Sequence, residues 1–308
     1  MATAKRLRVG KSYQLRFVAD GSRVIAIGRD IVQWSIEQGK RLCSAHPFKH
    51  SGSIDIAPTG DRVVIKNTSG QLAILSTQDL ATIVQFPKSL SSEGHGPMFS
   101  PCGAMIIDGT LDGYLRLIDC STSEVVHQEF SQGIVIQSLT GDSQRRLFAY
   151  VRQPKVPDPV SRLPFSHLVI RRWPWVGEPE VEVPIGESYV VAISLSPDGG
   201  RLASLQMNAA AAYTLKVIDL RSGCALADRG VDRGATNWSI AWSPDGTKLG
   251  CVEKGQVSVF DAASLERVAR HVDAYPCWVE FSPDGTSIAM GSWQRGVVMP
   301  VSQLEPLV

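Results

Sequence analysis

Short segments in which apolar and polar residues alternate recur along the whole chain, and each ends just before a similar tight turn. Residues 196–199, 243–246 and 282–285 all read Ser-Pro-Asp-Gly, and residues 18–21, 57–60 and 100–103 are degraded copies. The last apolar residues before these turns are Phe17, Ile56, Phe99, Leu195, Trp242 and Phe281. Alternation with a period of two is typical of β-strands, and Pro, Asp and Gly in this order favour a tight turn. The repeated unit is therefore predicted to be strand, turn, strand.

Each repeat has room for four such strands. In the sixth repeat the alternating segments are residues 238–242, 249–252, 256–260 and 265–270. The spacing between repeats is mostly about 39 to 47 residues, which is the range of four-stranded propeller blades. Seven repeats result when Leu139 marks a degenerate fourth copy, and a Pro-rich insertion at residues 152–166 explains the greater length of that copy. We therefore predict an all-β fold, a seven-bladed β-propeller of four-stranded antiparallel blades.

The seventh repeat is short of one strand. After its third strand, at residues 297–301, few residues remain for a fourth. The segment at residues 5–9 precedes the first inner strand and has the length to take that place. Because open sheet edges promote aggregation, we expect the ring to be closed by this N-terminal strand, lying in the last blade.

Several predicted third strands end in an apolar residue followed by a polar one. The clearest examples are Ile118-Asp119, Ile218-Asp219 and Phe260-Asp261, and the third repeat adds Gly94-His95 and Asp112-Gly113. These residues resemble WD40 repeats, in which a Gly-His pair precedes the first strand and Trp-Asp ends the third. The resemblance covers the whole chain and implies one WD40-like propeller domain over residues 1–308.

Charge and composition name no partner. The chain has 31 basic and 30 acidic side chains, so its net charge of +1 creates no long-range positive field. Nucleic-acid binding is supported only by the basic stretch that contains Lys5, Arg6, Arg8, Lys11 and Arg16, and the predicted closing strand already explains that stretch. No apolar run is long enough to cross a bilayer. Neither nucleic acid nor a membrane is therefore an expected partner.

The cysteines favour a reducing compartment. Six cysteines lie far apart, without a Cys-x-x-Cys pair or a histidine at metal-ligand spacing. The first residues are basic but lack the apolar run of a secretory signal. We therefore expect a cytoplasmic protein with no metal site.

Sequence motifs of catalysis are absent. The chain contains no Gly-x-Ser-x-Gly elbow, no His-Glu-x-x-His zinc motif and no dinucleotide-binding glycine pattern. We therefore expect no enzymatic activity, no catalytic residues and no cofactor.

The loops on one face of the predicted ring are richer in aromatic residues and arginine, which commonly anchor protein interfaces. In the WD40 arrangement this face carries the links from the second to the third strand and from each blade to the next. The residues expected to contact a partner there are Trp293, Arg295, Trp278, Trp238, Tyr275, Phe165 and Arg152. The leading functional prediction is thus a non-enzymatic scaffold or adaptor that presents this face to a protein or peptide.

A second prediction stays open. Some propellers are enzymes or small-molecule binders that use the axial channel, and this would require ionisable side chains to converge on the axis. From the sequence the candidates for such a cluster are His46, His50, His95, Asp30 and Asp112. Linear sequence alone does not show which charges meet at an axis.

Overall fold

The computed structural model describes residues 6–307, except residues 89, 95, 143, 158–161, 176 and 233–238. Within these residues the regular structure is almost entirely β. In chain order the strands are β1 Leu7–Arg8, β2 Gln14–Phe17, β3 Arg23–Ile27, β4 Ile31–Ser35, β5 Lys40–Ala45, β6 Ser51–Ile56, β7 Arg62–Asn67, β8 Leu72–Ser76, β9 Thr82–Gln85, β10 Met98–Phe99, β11 Met105–Gly109, β12 Tyr114–Asp119, β13 Val125–Phe130, β14 Ile134–Gly141, β15 Leu147–Pro154, β16 Phe165–Arg172, β17 Val181–Glu187, β18 Tyr189–Leu195, β19 Arg201–Met207, β20 Tyr213–Asp219, β21 Ala225–Val231, β22 Ile240–Trp242, β23 Lys248–Glu253, β24 Gln256–Asp261, β25 Arg267–Val272, β26 Pro276–Phe281, β27 Ser287–Ser292, β28 Val297–Pro300 and β29 Glu305–Pro306. A 3-10 helix at Val301–Gln303 lies between the last two strands.

These strands form seven antiparallel sheets, which we number as blades. Blades 1 to 5 are β2–β5, β6–β9, β10–β13, β14–β17 and β18–β21; blade 6 is β22–β25 with β29 at its outer edge; and blade 7 is β26–β28 with β1 at its outer edge. The first strand of each blade, its inner strand, contacts the inner strands of both neighbouring blades, so that β26 meets β2 and the ring is closed. The predicted seven-bladed β-propeller is confirmed.

The N-terminal strand closes the ring as expected. Leu7 pairs with Val298 and Arg8 with Val297 in the antiparallel register of β1 and β28. Leu7 and Val9 are 5% and 1% exposed, because they pack in the apolar interface between blades 7 and 1. The sequence did not indicate the fifth strand of blade 6, where β29 pairs with β25.

The interior is divided into seven apolar clusters, one in each interface between neighbouring blades. Between blades 7 and 1, for example, Leu15 and Val24 meet Ala289 and Val298. Each blade thus buries both of its faces only when both neighbours are present. Since fully burying one large apolar side chain stabilises a fold by about 1.5–3 kcal/mol, these interfaces hold the ring together.

The Ser-Pro-Asp-Gly turns join the inner strand of a blade to its second strand, and all lie on one side of the ring, which we call the turn face. In blade 6 Ser243 Oγ donates a hydrogen bond to Asp245, and the same carboxylate accepts one from the Thr247 N–H. These bonds lower the Asp245 pKa to about 2. Gly246 takes a φ of +68°, which an L side chain rarely adopts. The opposite side, with the links between second and third strands, is the link face.

The insertion of blade 4 is shorter than the sequence indicated. We expected it at residues 152–166, but β15 continues to Pro154 and β16 begins at Phe165. Both strands are eight residues long and extend into the predicted insertion, where the end of β15 pairs with β14 and the start of β16 pairs with β17. The link proper therefore covers only residues 155–164.

Candidate functional site at the propeller axis

The second-to-last residue of every inner strand lies at the same level of the ring, next to the turn face. Each of these residues pairs with the third residue of the second strand in its blade. In blade order the residues at this level are Arg16, Asp55, Met98, Thr140, Ser194, Ala241 and Glu280. Because the inner strands surround the axis, this level forms a ring of seven side-chain positions around it.

Charged residues occupy this level in three consecutive blades, with alternating sign. Arg16 of blade 1 lies between Glu280 of blade 7 and Asp55 of blade 2. Its Nη2 atom is 3.2 Å from Asp55 Oδ1, and its Nε atom is 3.2 Å from Glu280 Oε1. The other four blades carry neutral side chains at this level.

A fourth charged side chain, Arg145, reaches the same place from the turn of blade 4. Its Nη2 atom donates hydrogen bonds to Asp55 Oδ1, at 2.8 Å, and to the Ile56 carbonyl, at 3.3 Å. Blade 3 lies between blades 4 and 2. The side chain of Arg145 therefore extends past blade 3 to reach Asp55 of blade 2, which also contacts Arg16 of blade 1. We call Arg16, Asp55, Arg145 and Glu280 the axial cluster.

The backbone of Arg145 is in a conformation that the other blades reserve for glycine. Its N–H donates to the Asp142 carbonyl, as the Gly199 N–H does to Ser196 in the turn of blade 5. The φ of Arg145 is +53°, against +71° for Gly199. A left-handed conformation costs a non-glycine residue about 1–2 kcal/mol. Such strain is found preferentially at functional sites, where another interaction offsets it.

Asp55 accepts hydrogen bonds through both of its carboxylate oxygens. Its Oδ1 atom faces both arginines, and its Oδ2 atom accepts a bond of 2.9 Å from the Phe99 N–H of blade 3. That N–H lies on the inner edge of the sheet, where no further strand can pair with it. Asp55 therefore anchors both guanidinium groups and also satisfies the edge of the next blade.

Glu280 is only half satisfied. Its Oε1 atom faces Arg16, while its Oε2 atom is buried and makes no well-formed hydrogen bond to a described residue. Burial raises the pKa of Glu280 to about 7; the charge of Arg16, the Phe17 N–H and the Trp278 indole N–H oppose this shift, and the charge of Asp55 adds to it. The carboxyl group therefore changes its protonation state near neutral pH, and one of its oxygens lacks a well-formed hydrogen bond.

The axial cluster is reached by solvent. The side chains of Arg16 and Glu280 are 25% and 20% exposed, and that of Arg145 is 14% exposed. On the other side of the ring the same level carries Ser194 and Ala241, which are small. The charged side chains therefore converge on one part of the axis, and the small residues of blades 5 and 6 leave space beside them.

A cavity of about 170 Å³ on blade 4 is a weaker candidate. It is lined by Arg171, Arg172, Trp173, Pro174, Trp175, Glu178 and Glu180. All three guanidinium nitrogens of Arg171 already donate, to the Tyr150 hydroxyl, the Gly177 carbonyl and Glu129. Its charge is thus used within the protein, whereas the axial cluster retains an unsatisfied group.

The structure places three of the predicted partner-binding residues together on the link face of blade 7. Trp293 and Arg295 lie in the link between β27 and β28, and the Trp293 N–H donates to the Tyr275 carbonyl. Arg295 and Tyr275 are exposed. Trp293 is half-buried, because its ring centroid lies 4.4 Å from that of Tyr13, with the two rings tilted by 46°, and the Lys11 ammonium lies over its face. Whether these residues contact a partner stays a prediction.

The other predicted partner-binding residues lie elsewhere. Trp278 is in the inner strand of blade 7 and packs in the apolar interface with blade 1 rather than on the link face. Arg152 and Phe165 belong to blade 4, where Arg152 is 3.4 Å from Glu182 and Phe165 is half exposed. Trp238 lies outside the described residues. The seven residues thus do not form one patch.

The ionisable residues proposed from the sequence for the axis do not gather there. His46 and Asp30 form an exposed pair at 3.1 Å where β5 ends beside the link between β3 and β4. Asp112 binds Ser92 and Thr110 in the corresponding link of blade 3. His50 is exposed before β6, and His95 lies outside the described residues. Among the described residues there is no group of three or more His, Cys, Asp or Glu side chains that could hold a metal ion.

Sequence reasoning missed the axial cluster, although one signal was present. Aligning the repeats on their turns puts charges before the last inner-strand residue only in blades 7, 1 and 2. The fourth repeat was anchored at Leu139, but β14 ends two residues later, at Gly141, and only this register puts Arg145 where the other repeats have glycine. Arg16 was instead grouped with the basic N-terminal residues.

Comparison with known proteins supports the fold. No family model and no curated protein matches the sequence. Among solved structures, the chain is similar to hydrazine synthase from Kuenenia stuttgartiensis, with a TM-score of 0.79 over 98% of this chain and 99% of that chain, at 13% sequence identity. Identity this low shows the fold alone, so membership of the WD40 family stays a prediction. In the described part of the chain, no helix has the length and apolar character needed to span a bilayer.

This comparison corrects the leading functional prediction. A non-enzymatic scaffold was expected, but a solved structure that matches nearly the full chain carries the name of an enzyme. The physical reason for the error is that four ionisable side chains, distant in sequence, converge where the ring closes. Such a convergence is the requirement, expected from the sequence, for an enzyme or small-molecule binder that uses the axial channel. The scaffold prediction is therefore wrong, and a function at the axis is taken up as a proposal below.

Proposed function

We propose that this propeller binds a small molecule at the turn-face end of its axis, through Arg16, Asp55, Arg145 and Glu280. The observation that supports this most is the Oε2 atom of Glu280, which is buried next to Arg16 without a well-formed hydrogen bond, in a cluster whose side chains are partly exposed to solvent. Buried polar groups in proteins almost always have hydrogen-bond partners, so an orphaned oxygen at a charged site favours a ligand. Ionisable groups with a shifted pKa also concentrate at functional sites.

An enzymatic form of this function is a second candidate. A carboxyl group with a pKa of about 7 can both donate and accept a proton at neutral pH, which suits a general acid or base. The similar structure is named hydrazine synthase, which agrees with a catalytic propeller but does not transfer a reaction to this chain. In this form Glu280 is the proton-transfer group and the two arginines position the substrate.

We retain two further expectations from the sequence as proposals. Kinship with WD40 repeats is supported by the aspartates that end the third strands, because Asp119, Asp219 and Asp261 each cap the turn that follows. A cytoplasmic location is supported by all six cysteines being free thiols.

The test of ligand binding is capture from the native small-molecule pool. Immobilised protein is incubated with a protein-free extract of the source cells, washed and analysed by mass spectrometry. We expect at least one compound to be enriched on the wild-type protein and lost on Arg145→Gly, which removes the guanidinium and restores the glycine that the other turns carry.

The matched control is Arg146→Ala. Arg146 is the next residue, its side chain is 57% exposed and its Nε atom lies 3.8 Å from Asp142. This variant loses the same charge outside the axial cluster and should capture the same compounds as the wild type. Identical capture by Arg145→Gly and the wild type, or no enrichment on the wild type, would contradict the proposed function.

A further inference from the structure

We propose that the axial cluster binds a small oxyanion of the size of a monocarboxylate, and that Glu280 takes up a proton when the anion binds. This inference rests on the proposed function and deepens it by naming the chemical class of the ligand. It follows from the unused hydrogen-bonding capacity of the four side chains, from their charges and from the strained position of Arg145.

Unused donors outnumber unused acceptors in the cluster. Among the described residues Arg145 donates only through Nη2, which leaves its other nitrogens for a further acceptor. Arg16 lies 3.2 Å from Asp55 through Nη2 and 3.2 Å from Glu280 through Nε, but its buried Nε makes no well-formed hydrogen bond, so its Nε and Nη1 atoms both remain for a further acceptor. The only unsatisfied acceptor is Glu280 Oε2. A ligand that mainly accepts hydrogen bonds therefore fits better than one that mainly donates them.

The charges lead to the same class of ligand. The charged side chains that act on Glu280 are Arg16 from β2 and Asp55 from β6, and Arg145 joins the cluster from the turn of blade 4 through its ion pair with Asp55. The inner strands of blades 5 and 6 add only Ser194 and Ala241 at this level. With Glu280 protonated, two arginines face one carboxylate, so the cluster has a net positive charge and attracts an anion.

Protonation also completes the hydrogen bonds. A neutral Glu280 can donate from Oε2 to an oxygen of the anion, so the orphaned atom becomes a third donor beside the two guanidinium groups. The proton comes from solvent and stays on Glu280, and no covalent bond to the ligand forms or breaks. The pKa of Glu280, already raised by burial, makes this uptake possible near neutral pH.

The geometry of guanidinium groups favours a planar carboxylate. Arginine presents parallel N–H groups that match the two oxygens of a carboxylate, and such paired charged bonds are among the strongest in proteins. The left-handed backbone of Arg145 places its side chain for this contact. In the free protein the hydrogen bonds to Asp55 and Ile56 offset the free-energy cost of that backbone conformation. Arg145 is thus an anion-binding residue, and Asp55 positions it.

The experiment is isothermal titration calorimetry of the purified full chain with sodium formate, sodium acetate and inorganic phosphate as probes. Titrations in two buffers of different ionisation enthalpy measure the protons taken up. We expect formate or acetate to bind more tightly than phosphate, with uptake of about 0.5 proton near pH 7 and a larger uptake near pH 8. Affinity should fall about tenfold per pH unit above the pKa of Glu280.

Three variants make the test specific. Arg145→Gly should weaken formate binding at least about tenfold, the effect of losing one charged hydrogen bond. Glu280→Gln should still bind formate, because its amide is a neutral donor, but without proton uptake. Arg146→Ala should bind as the wild type does, and circular dichroism should show all three variants folded.

Three results would overturn the inference: no binding of any probe to the wild type, tighter binding of phosphate than of either carboxylate, or carboxylate binding without proton uptake. The capture experiment above separates this failure from failure of the proposed function. Compounds captured by the wild type but not by Arg145→Gly, together with no oxyanion binding, would leave the site intact and the ligand class wrong. Failure of both experiments would reject the site itself.

Discussion

Arg145 shows how one residue can depart from a repeat without disturbing it. Its turn keeps the hydrogen bond of the other turns, from its own N–H to the Asp142 carbonyl. What changes is that a side chain is present where the other blades have a hydrogen atom. That side chain reaches Asp55, a contact that no glycine could make.

A buried ion pair between blades 2 and 3 is a useful comparison for the axial cluster. Lys66 and Asp108 are 2.6 Å apart, with side chains 1% and 0% exposed. Lys66 also donates to the Gly109 carbonyl, and Ser91 donates to the second oxygen of Asp108. The pair is therefore satisfied within the protein, which is the main difference from the axial cluster, where an oxygen lacks a partner.

The pH dependence of stability tests the state of Glu280. Its pKa is about 7 in the folded chain and 4.5 for the ordinary group, so the folded protein binds more protons between these pH values. The contribution of Glu280 to the free energy of unfolding is therefore largest at low pH and is lost as the pH rises toward about 7. In urea unfolding, the wild type should lose on the order of 2 kcal/mol relative to Glu280→Gln between about pH 5 and pH 8. Parallel stability curves for the two proteins would show that Glu280 titrates normally.

At the scale of elements, the repeated pattern was sufficient to predict the strands but not all their ends. Alternation located the four strands of blade 6, and the turn sequence located the inner strand of each blade except blade 4, where the strand ends at Gly141, two residues beyond the predicted Leu139. The extension of β15 and β16 was missed, because the prolines near residue 157 suggested a loop before the pairing could be seen. The short β29 has no alternation of its own and forms only because the edge of β25 is available.

The closing strand gives a direct test at this scale. Deletion of residues 1–10 removes β1 together with Leu7 and Val9, which are buried between blades 7 and 1. Burial of two such side chains corresponds to about 3–6 kcal/mol, so the whole ring should melt at a markedly lower temperature. Scanning calorimetry should show one cooperative transition shifted downward.

The matched control for this deletion is removal of residues 1–5, which leaves β1 in place. It should melt close to the full chain. If the longer deletion also melted like the full chain, the N-terminal strand would not be what holds blade 7 to the ring.

At the scale of the molecule, closure of the ring creates the site. Arg16 and Glu280 are near opposite ends of the sequence, yet they are neighbours because blade 7 meets blade 1. The number of blades and their order could be predicted from the spacing of the turns. Which side chains meet at the axis could not, because this depends on the register within each inner strand and on the direction of a side chain such as Arg145.

The most direct test of this account is a crystal structure of the full chain grown with sodium formate near pH 6, compared with one of Arg145→Gly under the same conditions. We predict a planar anion bound by Arg16 and Arg145, with one of its oxygens within hydrogen-bond distance of Glu280 Oε2, and no anion there in the variant. An axial cluster that holds only water in both crystals, or an anion bound equally in both, would contradict it.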